Sequence, residues 1–583
     1  MVEILKMDYY SNNTRQHYSE LAKQHSLPFV ILSSTIMNSD LLNLNSRFEY
    51  IQLQAIPISQ TDTTIIIATA NPSPENQKKI HAFFNASTKK SINLVVASMQ
   101  EITYTLANQF KETYTHTMTH CRDDLDLFHS ASHTFSLTEK IVLILLVAFL
   151  LIAALGNFFI TALWVNVFLA TGTLLVMSYK NGLMMCTLRL LKKRPIEIIK
   201  PQTEYPIYTI LLPLLHEKQA TITLLIDSLN RLDYPAEKLD IKFLLEQDDT
   251  QTLNVINKLD LPWYYQVLIV PSGLPRSKPR ACNYGLQFAL GPYLTIFDAE
   301  DRPDPDQLRK AFHRFLHSAE NVACVQAALN FYNYRENLLT KLFTMEYTFW
   351  FDYLIPALDS LRAPVPLGGT SNHFKTEVLY KIGGWDPFIG TEDAEIGVRL
   401  YRYGYRVESI PSTTYEEANT RLGNWFLQRT RWNKGYMQTY LVNMRDPINM
   451  IKQIGPVRFI NFQFFVGGNV FIQLANLPLW IFLLSTVFFY NAQVASLFPK
   501  LLLYITIFNF FISNLLLLIL EFIATYNRRL YCLLPFIPFK MFYWILMSLS
   551  GYYAIVDLLL RPGYWYKTEH GISKQGNNTD VPL

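Results

Sequence analysis

Charged residues are scarce in this chain of 583 residues. Only 17% of its residues are Asp, Glu, Lys or Arg, whereas 50% are hydrophobic. A soluble domain usually carries about a quarter charged residues, so we expect part of the chain to lie in lipid. The net charge of +4 is small for this length. Because no basic tract with interleaved aromatic residues accompanies it, we expect no nucleic-acid partner.

Cysteine is also sparse, and its spacing carries no pattern. The five cysteines are scattered without the Cys-x-x-Cys spacing of a zinc site or the regular spacing of a disulfide framework. We therefore expect free thiols. The first residues, MVEILKMDYYSNNTRQ, lack the apolar run of a secretory signal, so no cleavable signal peptide is expected.

A long interval without any charge separates two polar parts of the chain. Residues 141–179 contain no charged side chain, which is about twice the length that one bilayer crossing needs. Gly156 and Asn157 near its middle predict a turn, and hence a transmembrane hairpin. Basic residues follow at once, namely Lys180, Arg189, Lys192, Lys193 and Arg194. Positive charge beside a span marks the cytoplasmic side, so we expect residues up to about 450 to be cytosolic.

The C-terminal part, residues 441–560, is expected to contain interfacial and transmembrane helices. Three further apolar runs are Phe459–Tyr490, Leu501–Leu520 and Met541–Val556. Counted as simple spans they bring the total to five, which would place the tail, residues 561–583, outside the cytoplasm. A break at Pro535 and Pro538, or at Gly467-Gly468, would change that count, and the sequence leaves the choice open.

Residues 1–120 have the pattern of a small α+β domain, followed by a polar linker at 121–140. The predicted helices are Tyr18–His25, Glu75–Phe84 and Gln100–Phe110, and the predicted strands are Phe48–Ser59, Thr63–Ala70 and Ile92–Ser98. Short apolar runs bounded by polar turns support these strands. The domain is long enough to form its own core.

Residues 200–440 alternate strands and helices, the pattern of a doubly wound α/β sheet. The predicted strands are Tyr208–Leu212, Ile241–Leu245, Gln266–Val270 and Tyr293–Phe297. Acids follow three of them, namely Glu217, Asp248, Asp249, Asp298, Glu300 and Asp301. The carboxyl ends of parallel strands are where such sheets bind ligands.

These acids and a nearby basic loop suit a nucleoside diphosphate and a metal. Clustered carboxylates repel one another, and a divalent cation relieves that repulsion. Lys278 and Arg280, in the loop before the fourth strand, are suited to phosphates. The alternative is a solvated acidic turn in which Asp306 caps a helix that starts near Gln307.

Two later motifs carry further candidate residues. Glu392 and Asp393 open an amphipathic helix that ends near Tyr403, and the alternative to a chemical role is a simple N-cap. Gln428, Arg431 and Trp432 are spaced to share one face of a helix. An amide, a guanidinium and an indole would suit a pyrophosphate and a sugar ring, whereas the alternative is a basic helix on the membrane surface.

Together these motifs resemble those of the membrane-embedded processive glycosyltransferases of family 2, such as cellulose and hyaluronan synthases. The sequence motifs DAEDRP, GGTSNHF, TEDAEIG and QRTRWNKGYMQT are similar to those of bacterial exopolysaccharide synthases of the phage N4 adsorption protein B type. The resemblance covers about 350 residues. It implies a GT-A-type, Rossmann-like α/β glycosyltransferase domain inserted between transmembrane helices of the bacterial inner membrane.

The resemblance also implies roles for the candidate residues on the donor side. Asp248 or Asp249 would contact the uridine, with Glu217 nearby, and Lys278 with Arg280 would lie near the diphosphate. Asp298 would begin a DxD-type motif that holds Mg²⁺ or Mn²⁺. Because this chain has both Glu300 and Asp301 after it, the second acid on the metal stays open.

On the acceptor side, Asp393 would be the general base that takes the proton of the attacking hydroxyl. Such a direct displacement inverts the anomeric configuration. Gln428, Arg431, Trp432 and Glu392 would bind the leaving pyrophosphate and the acceptor sugar. The implied activity is that of a hexosyltransferase which extends and translocates a polysaccharide from a UDP-linked sugar.

The two ends of the chain carry weaker resemblances. Tyr564–Gly571 resembles the cytoplasmic gating segment of the synthases, which favours a cytoplasmic tail over the simple count of spans. Residues 1 to about 115 resemble the N-terminal domain of type II secretion ATPases, which in some proteins binds cyclic di-GMP. The Arg-Leu-Gly signature of that binding is not recognisable here, so we expect a domain that docks on its neighbours.

Two other classes of protein remain as alternatives. A non-processive glycosyltransferase acting on a lipid phosphate would normally lack the Gln-x-x-Arg-Trp helix. A non-catalytic membrane receptor would be expected to lose the motif acids, which are all present. Accessory secretion proteins are possible partners of a synthase.

Overall fold

The computed structural model describes residues 12–32, 39–87, 90–191, 204–488 and 496–566, together with Thr568, Gly571 and Ser573. Its contacts divide the chain into two compact units. The first unit consists of Met1–Cys121, Pro201–Ala299 and His373–Gly384. The second consists of Arg122–Lys200, Glu300–Asn372 and Trp385–Leu583.

The N-terminal part of the first unit is a three-stranded sheet with helices. Its strands are β1 (Ala55–Gln60), β2 (Thr64–Thr69) and β3 (Ser91–Val96), and its helices are α1 (Asn12–Gln24), α2 (Arg47–Leu53), α3 (Pro74–Ser87), α4 (Met99–Gln109) and α5 (Lys111–Asp126). Strand β2 pairs antiparallel with β1 and parallel with β3. Ile56, Ile67 and Ile80 are fully buried in the core.

The strand predicted over Phe48–Ser59 is wrong in its first half. Arg47–Leu53 forms a helix, and Gln54 ends it with a φ of 50° in the left-handed region. The strand starts only at Ala55. Tyr50 and Ile51 are buried on the helix, because a short apolar run satisfies a helix face as well as a strand.

The segment from 204 to 444 alternates strands and helices, as the sequence predicts. Its strands are β4 (Tyr208–Leu214), β5 (Leu239–Glu246), β6 (Tyr265–Val270), β7 (Tyr293–Ile296), β8 (Arg302–Pro303), β9 (Val322–Phe331), β10 (Asn372–Lys375) and β11 (Arg406–Glu416). Its helices are α8 (Gln219–Asn230), α9 (Thr250–Ile256), α10 (Lys278–Leu286), α11 (Gln307–His317), α12 (Leu338–Phe349), α13 (Ile355–Ser360), α14 (Thr376–Lys381), α15 (Glu392–Arg402) and α16 (Leu422–Met444).

In the first unit the strands pair in the order β6-β5-β4-β7-β10. The first four are parallel, and β10 runs antiparallel to β7, so the pairing is mixed. Every residue of β5 is buried, as is usual for a strand with both faces covered. Its one lysine, Lys242, is neutralised by Asp240 at 2.7 Å.

In the second unit β11 pairs parallel with β9 and antiparallel with β8. The helix predicted from Gln307 is α11, but Asp306 makes no side-chain capping bond to it. Asp306 instead forms an ion pair with Lys310 at 2.9 Å. The acid is four residues before the lysine, the spacing that favours such a pair on a helix.

Within the part of the chain that the structure describes, five helices are long and apolar enough to cross a membrane: Leu137–Gly156, Phe158–Met185, Pro456–Ser485, Lys500–Asn527 and Tyr531–Leu560. The helices of this region are α6 (Leu137–Gly156), α7 (Phe158–Leu191), α17 (Pro447–Ile454), α18 (Pro456–Phe462), α19 (Gly468–Phe488), α20 (Lys500–Ile507), α21 (Asn514–Asn527) and α22 (Lys540–Leu560). Asn157 separates α6 from α7, at the position where the sequence predicts the turn of a hairpin.

Irregular helix occurs where the sequence suggests a break. Pro535 and Pro538 lie in a 3₁₀ helix, Tyr531–Phe539, that leads directly into α22. Gly467 ends a π-helical turn, Gln463–Gly467, between α18 and α19. Neither feature reduces the number of candidate spans below five. Lys192, Lys193 and Arg194, which carry the prediction of a cytoplasmic end, lie outside the described residues.

The segment predicted as a polar linker, residues 121–140, is ordered by hydrogen bonds. Helix α5 continues to Asp126, a short 3₁₀ turn follows, and Ser136 caps α6. Arg445 donates to the carbonyl oxygens of Phe128 at 2.6 Å and Ser130 at 2.9 Å. The guanidinium of Arg445, far along the chain, thus fixes the backbone of this segment. The polar sequence of the segment alone predicts a solvated linker.

Candidate active site

The turn after β5 contains two adjacent aspartates in different environments. Asp249 is buried, accepts bonds from the hydroxyl and N–H of Thr252 at 2.6 and 3.0 Å, and accepts the N–H of His216 at 2.5 Å. Burial raises the pKa of Asp249, but these hydrogen bonds outweigh it and lower the pKa overall. Asp249 therefore caps α9 and ties down the turn after β4, where His216 has a φ of 53°.

Asp248 is the aspartate of this pair that a ligand can reach. Its side chain is 59% exposed and forms a bidentate ion pair with Arg276, at 2.7 and 2.9 Å. An exposed pair of this kind contributes only about 0 to 1 kcal/mol, so a ligand could replace either partner. Glu217 is half-buried, and its backbone N–H donates to the Thr252 hydroxyl at 2.9 Å.

The structure brings Lys278 and Asp298 together. Lys278 is the first residue of α10, and Asp298 follows β7; their side chains lie 2.5 Å apart. The lysine is 15% exposed and the aspartate 30% exposed, so both remain accessible from one side. A cation beside an acid at the end of a parallel strand is an arrangement that can receive a diphosphate.

Arg280 does not occupy the position predicted for it. The side chain is fully buried, donates to the carbonyl of Pro271 at 2.7 Å, and lies 3.8 Å from Glu246. Burial raises the pKa of Glu246 to about 7, against the opposing effect of Arg280. The predicted contact between Arg280 and the diphosphate is therefore corrected, because an enclosed guanidinium supports the loop instead.

Glu300 and Asp301, the two candidates for the second metal acid, also differ in exposure. Asp301 is 1% exposed and accepts a short hydrogen bond from the hydroxyl of Thr370. Gln326 holds the same glycine-rich loop through Gly368 N at 2.9 Å and Thr370 O at 3.0 Å. Glu300 is half-buried. Asp301 thus holds the glycine-rich loop in place through Thr370, and Glu300 is the acid that is more exposed to solvent.

The predicted cluster of Asp298, Glu300 and Asp301 is not assembled as a ready-made metal site. Among the residues that the structure describes, no group of three or more His, Cys, Asp and Glu side chains is placed to hold a metal ion. The donor chemistry still fits, since Mg²⁺ is commonly held by one or two carboxylates together with the phosphates of the substrate. Asp298 and Glu300 supply hard oxygen atoms of that kind.

Asp393, the residue predicted to be the base, lies at the start of a helix. It is the second residue of α15, half-buried, and its Oδ1 accepts the N–H of Ala394 at 2.8 Å. A Cβ atom added at Gly369 would lie 3.4 Å from Asp393 Oδ2, so the glycine leaves room beside the second oxygen. The N-terminus of a helix stabilises the charged carboxylate. Glu392 beside it is buried, at 8% exposure.

The Gln-x-x-Arg-Trp motif lies on α16, where Gln428, Arg431 and Trp432 are all half-buried. Arg431 donates to the carbonyl of Gly390, at 3.1 Å, just before the residues that open α15. The side-chain oxygen of Gln428 accepts from Asn419 at 2.8 Å. Within the second unit, Arg431 therefore links α16 to the residue that lies just before α15.

Sequence reasoning missed Arg429, in the middle of the same motif. Its guanidinium is buried, binds both carboxylate oxygens of Glu346 at 2.9 and 2.6 Å, and donates to the hydroxyl of Tyr543 at 2.9 Å. It also lies 4.4 Å from the ring centres of Phe343 and Trp432. No local signal reveals this group, because its members come from three separate segments.

The chain is similar to known protein families and to known proteins. Residues 209–373 match the family model described as Glycosyl transferase family 2, and residues 293–556 match that of Glycosyl transferase family group 2. "Probable glycosyltransferase YdaM" of Bacillus subtilis is 22% identical over 379 residues, which cover 63% of this chain and 87% of that protein.

A further relative and a solved structure are also similar to this chain. "Probable glucomannan 4-beta-mannosyltransferase 10" of Arabidopsis thaliana is 23% identical over 248 residues, covering 40% of this chain and 43% of that protein. The solved structure of the mannosyltransferase PcManGT from Pyrobaculum calidifontis, in complex with GDP-Man and Mn²⁺, covers 67% of this chain and 99% of that chain, at 18% identity and a TM-score of 0.45.

The matched ranges contain most of the candidate residues. They start at the first strand of the predicted sheet and extend through Asp393 and the motif on α16 into the membrane helices. The predicted enzyme class, a glycosyltransferase of the hexosyltransferase type, is confirmed, and so is the predicted α/β fold class. Residues 209–556 of this chain are thus similar to glycosyltransferases of family 2.

Proposed function

We propose that this protein is an inverting membrane glycosyltransferase that adds sugars from a UDP-linked donor to a growing exopolysaccharide and translocates the product. The observation that carries the proposal is the placement of Asp393. Its carboxylate lies at the start of α15 against Gly369, and Arg431 is bonded to Gly390 just before that helix. An accessible base and a fixed cation thus accompany each other in one unit.

In this proposal Asp393 takes the proton from the acceptor hydroxyl while that oxygen attacks the anomeric carbon of the donor. The bond from the anomeric carbon to the diphosphate breaks on the opposite face, which inverts the configuration. The nucleoside diphosphate departs with the electron pair of that bond. A positioned base of this kind contributes about 10²- to 10⁴-fold in rate.

Charge that develops on the leaving diphosphate needs stabilisation, and this chain offers cations for it. Lys278 is a cation on the donor side, paired with Asp298, and Arg431 is the cation in the unit that contains Asp393. Asp298 and Glu300 would hold Mg²⁺ or Mn²⁺ against the diphosphate, where the metal would neutralise charge. Asp248, released from Arg276, would contact the uridine.

Gln428, Trp432 and Glu392 are proposed to bind the acceptor sugar. Trp432 offers an aromatic face, and Arg429 holds that face in place from behind. The Gln-x-x-Arg-Trp motif on α16 favours a processive enzyme over one that glycosylates a lipid phosphate. The presence of the base, the motif and the donor-side lysine favours an enzyme over a receptor.

The membrane helices support translocation, because they carry polar groups between them. In the second unit Lys180 donates to Asn469 at 2.5 Å, and Asn476 donates to Ser548 at 3.4 Å. Polar side chains inside a membrane commonly mark a path for a polar substrate. We propose a bacterial inner-membrane location with the catalytic domain in the cytosol. Accessory secretion proteins and cyclic di-GMP stay predictions without a supporting contact.

The experiment that tests this function measures release of nucleoside diphosphate by the protein in lipid nanodiscs. The donor panel contains UDP-sugars, and also GDP-mannose because one relative is named as a mannosyltransferase. We expect Mg²⁺- or Mn²⁺-dependent release with one UDP-sugar and a long saccharide product. A product of one sugar on a lipid phosphate would support the non-processive alternative, and no release with any donor would contradict an active synthase.

A further inference from the structure

The N-terminal domain is bonded to the edge of the catalytic sheet within the first unit. Gln100 on α4 accepts the N–H of Val267 at 2.9 Å and donates to its carbonyl at 2.7 Å. The side-chain amide thus pairs with edge strand β6 as a neighbouring strand would. Thr103 on the same helix donates to Gln266 at 3.4 Å. The domain is therefore held in register with the strand.

Helix α5 of this domain lies along α10, the helix that begins with Lys278. Asn283 donates to the carbonyl of Met118, and Gln287 donates to that of Tyr114, each at 3.2 Å. Both amides are about 2% exposed. Since an unpaired polar group costs about 1 to 3 kcal/mol when buried, these bonds fix how the two helices face each other.

Arg280 connects the same helix to the loop at 271–277. Its Nε donates to the hydroxyl of Thr119 on α5 at 3.3 Å, while its Nη2 donates to Pro271 O at 2.7 Å. Gly273 packs directly against the guanidinium, because a Cβ atom there would lie 2.5 Å from Nη2. The loop also carries Arg276, the partner of Asp248. One buried side chain thus joins the N-terminal domain to the basic loop.

We propose that the N-terminal domain forms part of the support of the donor site, with Thr119 and Arg280 as positioning residues for the basic loop and for Lys278. This inference rests on the proposed function, and it gives the domain a role in the reaction that docking alone would not give. The domain holds the loop in the conformation that receives the donor's diphosphate. The loop would otherwise be free to sample other conformations, because Asp248 and Arg276 are exposed.

Two substitutions disturb this connection in different ways. Thr119→Val keeps the shape of the side chain but removes the hydroxyl that accepts from Arg280. Gly273→Ala leaves the hydroxyl in place and displaces the guanidinium from the loop side. We expect each to weaken binding of UDP about 3- to 10-fold, which is part of the effect of losing a hydrogen bond to a charged group. We expect KM for the donor to rise equally and kcat to stay near that of the wild type.

The controls separate positioning from general loosening of the domain. Thr119→Ser restores a hydroxyl and should restore the affinity. Gln52→Ala removes a bond from the same domain to the carbonyl of Ala289, 3.3 Å away, just after α10 ends. It should leave UDP affinity and KM unchanged. Thermal unfolding of every variant shows whether the fold is intact.

The measurement is equilibrium binding of UDP with Mn²⁺ to the full chain in nanodiscs, with steady-state kinetics beside it. Wild-type UDP affinity in both Thr119→Val and Gly273→Ala would overturn the inference. So would an equal loss of affinity in Gln52→Ala, because domain docking in general would then be responsible. If the wild type binds neither UDP nor any donor of the panel, the proposed function itself fails.

Discussion

At the scale of single residues, neighbours in the chain have different tasks. Asp248 and Asp249 are adjacent and chemically identical, yet one is exposed and the other caps a helix. The same division separates Glu300 from Asp301, and Arg431 from Arg429. In each pair the buried member is tied to several partners, and the other member is more exposed to solvent.

The two aspartates after β5 should therefore respond differently to substitution. Asp249→Ala removes the cap of α9 and the bond to His216 N, which should lower the free energy of unfolding by about 1 to 2 kcal/mol. Asp248→Ala should leave the free energy of unfolding within about 0.5 kcal/mol of the wild type and weaken UDP binding. Chemical denaturation and UDP binding measure the two effects. Equal destabilisation by both variants would contradict this assignment.

Arg429 should act on the acceptor through Trp432. Arg429→Lys keeps the charge but loses the bidentate bond to Glu346, whose geometry only a guanidinium provides. We expect turnover to fall at least about 10-fold with donor KM little changed, because the indole loses its support. Steady-state kinetics at saturating donor measure this. If Arg429→Lys weakens donor binding instead, Arg429 acts on the donor and not on the acceptor.

At the scale of elements, the segment before the base helix is held by a buried acid. Asp386 accepts the N–H of Ala131 at 2.8 Å and that of Phe388 at 3.0 Å. Burial, reinforced by the nearby charge of Glu395, raises the pKa of Asp386 to about 6. Arg399 acts in the opposite direction. The turn that leads into α15 thus depends on a titrating group.

This shift makes stability depend on pH in a defined direction. The folded pKa of about 6 lies above the ordinary value of about 4. The stabilising contribution is thus fully present below pH 4 and is lost as the pH rises through 6. The free energy of unfolding should fall by about 3 kcal/mol across this window from this group. Asp386→Asn should remove that slope in thermal unfolding between pH 4 and 7. If the pH dependence of unfolding is unchanged in Asp386→Asn, Asp386 is not the group that causes it.

The sequence predicted the elements that have a strong local signature. Composition alone predicts the buried strands β4, β5 and β7 and the apolar spans. The acids follow the strands as expected. The helix at Arg47–Leu53 was missed because its apolar run is short. The ordered segment at 121–140 was missed because Arg445, far along the chain, fixes its backbone. The role of Arg280 was misjudged because burial by α5 cannot be read from the loop itself.

At the scale of the whole molecule, residues 209–373, which match the model of glycosyltransferase family 2, lie in sequence between candidate membrane spans. Arg528 and Arg529 end one of these spans, and positive charge favours the cytoplasmic side. Cys532, just beyond them, is exposed, while Cys282 and Cys324 are buried. This exposed thiol offers a direct test of orientation.

An impermeant maleimide added to intact spheroplasts should leave Cys532 unlabelled, whereas inverted vesicles should be labelled. The reason is that the residue follows the positively charged end of a span, which the proposed orientation places on the cytosolic side. Cys532→Ser provides the control, since it should remove the signal from inverted vesicles. Labelling of intact spheroplasts that the same substitution removes would reverse the proposed orientation.

The most direct test of the central claim compares Asp393→Asn with the wild type in nanodiscs. The account predicts that release of nucleoside diphosphate falls at least about 10²-fold while UDP affinity stays within about twofold. Asp306→Asn is the matched control, because it neutralises another acid at the start of a helix, and it should retain activity. Normal turnover by Asp393→Asn would contradict the assignment of the base and with it the proposed mechanism.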